Sequence, residues 1–196
     1  MSNESKKPSV YGVMMSVITH LNSPHEQKNM AGNLAAIRNS IGKSYEAATG
    51  VWPILFPLIP QEYLGNGSLS YEEQALFVTL QLYAIGQQGS NKMPNDDENK
   101  SIGSSLQKIR QQRIVDGEST ASLDKRFNTM LTSLTFEEFA YHLRQVFKLG
   151  KAFNGFSVNF PALANDLFWY QKGKNKQISL KWAKDYYKPE FPKKDS

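Results

Sequence analysis

The chain contains no cysteine, which excludes a disulfide framework, a thiolate metal site and a cysteine nucleophile. That composition suits a reducing compartment. No apolar run approaches the roughly 20 residues that span a membrane, and the opening MSNESKKPSV is polar where a secretory signal needs an apolar core. The expectation is a soluble, cytoplasmic protein without a membrane partner. The three histidines, His20, His25 and His142, are not spaced as metal ligands. No serine lies in a G-x-S-x-G elbow. IGKS at 41–44 resembles the end of a phosphate-binding loop, but Ile37 stands where the motif needs its first glycine, and no strand precedes it. The acidic run Asp96-Asp97-Glu98 lacks the Asp/Asn alternation and closing Glu of a calcium loop, and reads as solvated. Glu137 and Glu138 sit at a helix start, where acids favour the dipole. No catalytic constellation, cofactor site or small-molecule substrate is indicated.

What remains is a pattern of helices. No convincing segment alternates with period two, whereas apolar residues recur at helical spacing along most of the chain. The spacing predicts a helix over 9–21, and another over 25–40 with Met30, Leu34, Ile37 and Ile41 on one face. PILFPLIP at 53–60 is interrupted by Pro53, Pro57 and Pro60, which remove backbone donors and leave a packed connector. Ser70 with Glu73 makes a capping box that opens a helix to about Gly86, burying Leu76, Leu80 and Tyr83. The polar, Gly/Pro/Asn-containing stretch 86–100 is the best boundary.

Beyond it, 101–113 places Ile102, Leu106 and Ile109 inward and Lys108 toward solvent. Residues 121–133 bury Leu123, Phe127, Met130 and Leu131, with Lys125 and Arg126 off that face. Thr135 and Glu138 suggest a second capping box before FAYHLRQVFKLGK. Pro161 suits the first turn of the next helix, and a turn at KGKNK precedes ISLKWAKDYYK, with Ile178, Trp182 and Tyr186 on one side. The expected fold class is all-α: two packed, bundle-like helical subdomains without a sheet. The expected division is a tail at 1–8, subdomains at 9–90 and 101–188, a polar loop at 91–100 and a tail at 189–196.

Charge is unevenly placed. The net charge is +5, yet residues 1–100 hold 7 Lys/Arg against 9 Asp/Glu, while 101–196 hold 16 against 9. Such asymmetry points to an anionic partner for the second half, with nucleic acid first because phosphates reward repeated cation contacts. Two stripes stand out. Arg144, Lys148 and Lys151 lie at i, i+4 and i+7, one turn after Tyr141; Lys181, Lys184 and Lys188 lie at i, i+3 and i+7. Like charges stacked this way repel by a few tenths of a kcal/mol per pair, so each stripe is either a solvated face or a track for phosphates. The first spans about 10 Å at roughly 1.5 Å per residue, enough for about two successive phosphates. Phe168-Trp169-Tyr170 and Trp182 with Tyr186-Tyr187 serve either core packing or base stacking. Tyr141 and Tyr187 lie nearest the charged faces. A helical adaptor whose basic faces meet an acidic protein is the alternative from another class.

The C-terminal order LDKRFNTML, FAYHLRQVFKL, NFPALANDLFWY, KWAKDYYK resembles the CasB family, the small subunit of the type I-E CRISPR interference complex called Cascade. The corresponding positions are Lys125-Arg126-Phe127, Leu143-Arg144-Gln145, Asp166-Leu167 with Trp169, and Trp182 to Tyr187. SIGSSLQKIR is similar to the helix that opens this region, and the match covers roughly 101–188. The resemblance implies an all-helical protein without enzymatic activity. Its implied partners are other Cascade subunits, guide RNA, both strands of the target DNA, and adjacent copies of itself; its implied role is to stabilise the R-loop. Base pairing reads the sequence there, so the subunit needs backbone contacts alone. The candidate nucleic-acid-binding residues are Arg38, Lys43, Lys108, Arg110, Arg113, Lys125, Arg126, Tyr141, Arg144, Lys148, Lys151, Lys181, Lys184 and Lys188. Among them Arg126 and Arg144 lie beside an apolar seam that can hold a guanidinium for bidentate phosphate contact.

Overall fold

The structure, a computed structural model, describes residues 7–89 and 101–189. The expected acidic loop and most of both tails lie outside those residues. The described residues are helical, without a strand, and no helix among them is long and apolar enough to cross a membrane. They form two compact units. One contains residues 7–89 with Phe160–Lys172, and the other contains 101–159 with 173–189.

The first unit is built on the helix opened by Ser70. Helices α1 (Val10–Leu21), α2 (Met30–Asn39) and α3 (Trp52–Leu55) precede α4 (Tyr71–Gly86). The Ser70 hydroxyl accepts the Glu73 N–H at 3.1 Å and the Glu73 carboxylate accepts the Ser70 N–H at 2.9 Å, so the capping box is complete. From Ala75 onward α4 is buried all round, which makes it the central helix rather than an amphipathic one. Its buried Gln81 donates to the Ser40 hydroxyl at 2.9 Å.

Helix α2 is shorter than 25–40 at both ends. It stops where the Ser40 hydroxyl donates to the Ile37 carbonyl at 2.6 Å and Gly42 turns to φ 82, leaving Ile41 half-buried outside the helix. The proline-rich connector is a single turn of α-helix followed by 3₁₀ turns at Phe56–Leu58 and Gln61–Tyr63. Helix α8 (Phe160–Trp169), read from sequence with the second subdomain, belongs to this unit because its apolar residues pack on α1 and α4.

The second unit gathers α5 (Ile102–Val115), α6 (Ala121–Leu131), α7 (Phe136–Lys151) and α9 (Asn175–Tyr187) around one core. Helices α5 and α9 pack together, as do α6 and α7. Gly103 makes the first pairing possible: a Cβ there would collide with the Trp182 carbonyl oxygen. Phe127 stacks on Tyr186 at 4.0 Å and Phe139 lies 5.6 Å from Trp182. Two local expectations are corrected. Thr135 caps α7 through the Glu138 N–H, but the Glu138 carboxylate accepts from Leu134 N–H at 2.8 Å, one residue earlier than a reciprocal box requires. The turn at KGKNK is a π-helical segment, Tyr170–Lys174, in which Gly173 takes φ 84.

Candidate nucleic-acid interface

Helices α6 and α7 face their apolar residues inward: Leu123, Phe127 and Met130 from one, Phe139, Leu143, Val146 and Phe147 from the other. Their outer faces leave an open groove of about 460 Å³. Ser122, Lys125, Arg126 and Thr129 line one wall; Tyr141, His142, Gln145 and Val146 line the other. Ser122, Lys125, Arg126 and Thr129 lie within two turns of α6, and Tyr141, His142, Gln145 and Val146 within two turns of α7, so each wall is one side of one helix.

The groove has the chemistry of an anion site. Lys125 and Arg126 are exposed, and their side chains have no ion-pair or hydrogen-bond partner among the described residues. Two adjacent cations without a counter-ion repel, and a phosphate oxygen would relieve that repulsion. Opposite them Tyr141 is 57% exposed, with its ring edge-on to the His142 imidazole at 5.2 Å. Ser122, Thr129 and Gln145 add neutral polar groups that can bond to phosphate or sugar oxygens. By helical spacing Lys148, also exposed, continues the face begun by Tyr141 and Gln145.

The other members of the first stripe behave differently. Arg144 is half-buried and its burial lowers its pKa; it and the half-buried Lys151 both interact within the chain. Lys148 is therefore the exposed cation of that stripe. On α9 and just after it, Lys181, Lys184 and Lys188 lie in sequence on the last basic segment; Lys181 and Lys188 are exposed and Lys184 is exposed with them. The Lys188 carbonyl also accepts from Gln107 at 3.2 Å.

Arg110 and Arg113, which the sequence groups with the binding cations, have internal partners. Arg110 Nε donates to Asp124 at 3.0 Å, and its guanidinium lies 5.8 Å and 5.1 Å from the Tyr186 and Tyr187 ring centroids. Asp124 is a hub. It also accepts from the Tyr186 hydroxyl at 2.6 Å and the Thr120 hydroxyl at 2.9 Å. Burial alone would raise its pKa, but the bonds from Tyr186, Arg110 and Thr120, with the Arg110 charge, more than offset this and hold the carboxyl below its ordinary value. Arg113 donates to the Ser119 carbonyl at 3.2 Å and lies 5.2 Å from the Phe153 ring centroid, closing the α5–α6 loop.

Lys108 is exposed on α5 as expected, beside a second open pocket of about 320 Å³ lined in part by Gln112, Phe153 and Asn154. In the first unit Arg38 donates to the Ala84 carbonyl at 3.2 Å, and Lys43 is exposed just after Gly42. The sequence did not mark Ser122, Thr129, His142 or Gln145 as nucleic-acid contacts. Their signal was their phase: each lies within four residues of a cation or Tyr141 already chosen.

The family model for CRISPR-associated protein Cse2 matches residues 33–187. No curated protein sequence matches the chain. Its fold is similar to that of a Cse2-family CRISPR-associated protein from Thermus thermophilus, at 21% identity and TM-score 0.69 over 93% of this chain and 100% of that one. CasB from Thermobifida fusca is 18% identical with TM-score 0.65, covering 91% of this chain and 95% of its own. A chain of a CRISPR RNA-guided surveillance complex is 15% identical with TM-score 0.63, over 91% and 93%. With the family model spanning most of its length, from within α2 to the end of α9, the chain belongs to the CRISPR-associated Cse2 family.

Proposed function

We propose that this chain is the small, non-catalytic subunit of a type I-E Cascade complex, working in the cytoplasm, and that its α6–α7 groove holds a sugar-phosphate backbone during R-loop formation. Membership of the Cse2 family and likeness to a chain of an RNA-guided surveillance complex support the assembly. The observation that carries the nucleic-acid reading is the groove itself: two exposed cations without partners among the described residues line one wall and an exposed tyrosine lines the other. Recognition delegated to guide pairing asks only backbone contacts of such a groove. Lys148 extends the groove along α7, and Lys181, Lys184 and Lys188 supply further phosphate contacts from the last helix. The partners are other subunits of the complex, guide RNA, the target and displaced DNA strands, and adjacent copies of the chain.

The test replaces Lys125 and Arg126 together by Gln and follows binding of labelled single-stranded DNA across a salt series. Each lost phosphate contact should flatten the slope of log affinity against log salt by about 0.7. The double variant should therefore lose about 1.4 from the slope, with sequence preference and thermal midpoint unchanged. An unaltered slope would show that the groove is a solvated face. Salt-sensitive binding to an acidic protein, with none to DNA of any length, would establish the adaptor reading instead.

A further inference from the structure

A third pocket, in the first unit and remote in chemistry from any phosphate site, has the opposite character to the α6–α7 groove. It encloses about 270 Å³ between the segment Tyr45–Phe56 and the loop 65–70. Its walls include the aromatic rings of Tyr45, Trp52 and Phe56, with the carboxylates of Glu46 and Glu73 beside them. The shape is fixed by a side-chain hydrogen bond, ring packing and loop geometry together. Trp52 Nε1 donates to the Tyr45 carbonyl at 3.1 Å, and Phe56 and Phe77 stand edge-on to Tyr45 at 5.9 Å and 5.0 Å. In the loop, a Cβ on Gly65 would collide with the Ser68 carbonyl oxygen, and Gly67 takes φ 79.

Two polar groups here are incompletely matched. Glu73 is only 4% exposed. Its Oε2 accepts from both the Gly65 and Ser70 N–H groups at 2.9 Å, whereas its Oε1 accepts no hydrogen bond among the described residues. The Tyr45 hydroxyl is buried without a partner, and burial together with the Glu73 charge raises its pKa. The Tyr45 hydroxyl, buried and unpaired, costs free energy that a hydrogen-bonding guest would recover, and Glu73 Oε1 is open to a donor entering the pocket. Electron-rich ring faces and carboxylates in one pocket repel phosphate and attract a cation. A guanidinium suits this set better than an ammonium, because its plane stacks on Trp52 or Phe56 while its edge donates to Glu73.

We propose that this pocket receives an arginine side chain presented by another protein subunit, making it a protein-docking site distinct from the basic groove. The proposal does not depend on the nucleic-acid reading, since it uses other residues and the opposite charge. It gives the two units different kinds of partner: acidic aromatic pocket for protein, basic groove for phosphate.

Two experiments test it on the full chain. In the first, arginine amide is titrated while the Trp52 indole N–H signal is followed by NMR, assigned by its loss in Trp52→Phe. Arginine amide should shift that signal saturably, and citrulline amide, its neutral isostere, should not. Glu46→Gln, which changes an exposed side chain outside the core, should weaken arginine binding roughly threefold, within the range expected for one exposed ion pair. Equal shifts with citrulline amide, or unchanged affinity in Glu73→Gln shown to be folded by circular dichroism, would overturn the proposal. In the second, a photo-crosslinker replaces Leu69 at the pocket rim and the assembled complex is irradiated. The expected product joins this site to a segment of a different subunit that carries arginine, and neutralising that arginine should abolish the product. Crosslinks to nucleic acid, to a second copy of this chain or to a segment without arginine would refute it.

Discussion

Replacing Asp124 by Asn tests whether the carboxylate hub organises the second unit. Asp124 lies in the first turn of α6 and accepts from Thr120 just before that helix, Arg110 of α5 and Tyr186 of α9. The substitution keeps the size of the side chain but removes its charge. Hydrogen bonds to a charged group contribute about 1.5–3 kcal/mol against about 0.5–1.5 for neutral ones. Two bonds lose that assistance at Oδ1, from Arg110 and Tyr186. The Arg110 and Asp124 side chains retain 21% and 23% of their exposure, so water screens part of the effect. The net loss should be about 2 kcal/mol, read as a lower urea midpoint for the unit containing α5, α6, α7 and α9.

Its pH dependence identifies the cause. The folded carboxyl is held below its ordinary value, so the unfolded state binds the proton more readily. The stabilisation is present above the unfolded pKa of about 3.9, and is lost as pH falls through the folded value. Wild type and Asp124→Asn should therefore differ by a constant amount from pH 7 to about pH 5, and converge below about pH 4. Equal midpoints at pH 7 would refute the hub. So would a gap that stays undiminished from about pH 5 down to about pH 2.5, well below the unfolded value, because packing rather than charge would then explain it.

Arg110→Gln should lower the same urea midpoint yet leave the salt slope of DNA binding unchanged, separating this structural arginine from the binding cations. Lys148→Gln with Lys151→Gln should flatten the single-strand salt slope by about 0.7 to 1.4, and the structure favours the lower figure, since Lys151 is half-buried with an internal interaction. In the assembled complex that pair should weaken R-loop formation and spare guide loading, read by gel shift and by co-purified RNA. Gly103→Ala should cost about 1–3 kcal/mol by overpacking, because the added carbon meets the Trp182 backbone rather than a movable side chain; an unchanged thermal midpoint would show that α5 and α9 are more loosely apposed.

The helices were legible because their signals are local. The Ser70–Glu73 box, the apolar spacing of Leu123, Phe127 and Met130, and the alternation of faces around Phe139 and Leu143 each lie within a few residues. The place of α8 was not, because nothing between Phe160 and Trp169 says which core its apolar face will meet; that depends on α1 and α4, far away in sequence. The start of α2 was placed too early, at 25 rather than Met30, because the N–H groups of Ser23, Glu26 and Asn29 bond three residues back in successive turns that share the helical spacing. The Tyr45 pocket had no sequence signature at all, because its walls come from three separated segments joined by loop geometry.

The basic half posed a harder problem, since spacing alone gives every cation an equal claim. Lys125, Arg126 and Arg110 all sit on helices of one unit, within a turn of an apolar seam. What separates them is whether an acid is within reach. Asp124 takes the guanidinium of Arg110, and the Tyr186 and Tyr187 rings flank that cation. Lys125, the residue immediately after Asp124 on the same helix, points off that face and meets no carboxylate among the described residues. A rotation of about 100° per residue along α6 thus puts one charge into the fold and the next toward solvent. A cation satisfied internally gains little from a phosphate, because each new bond replaces an old one. A cation held exposed beside another, at a repulsive cost the fold does not offset, gains from it fully. By that criterion Lys125, Arg126 and Lys148 are where the salt dependence should reside, and Arg110 and Arg113 are where the stability should.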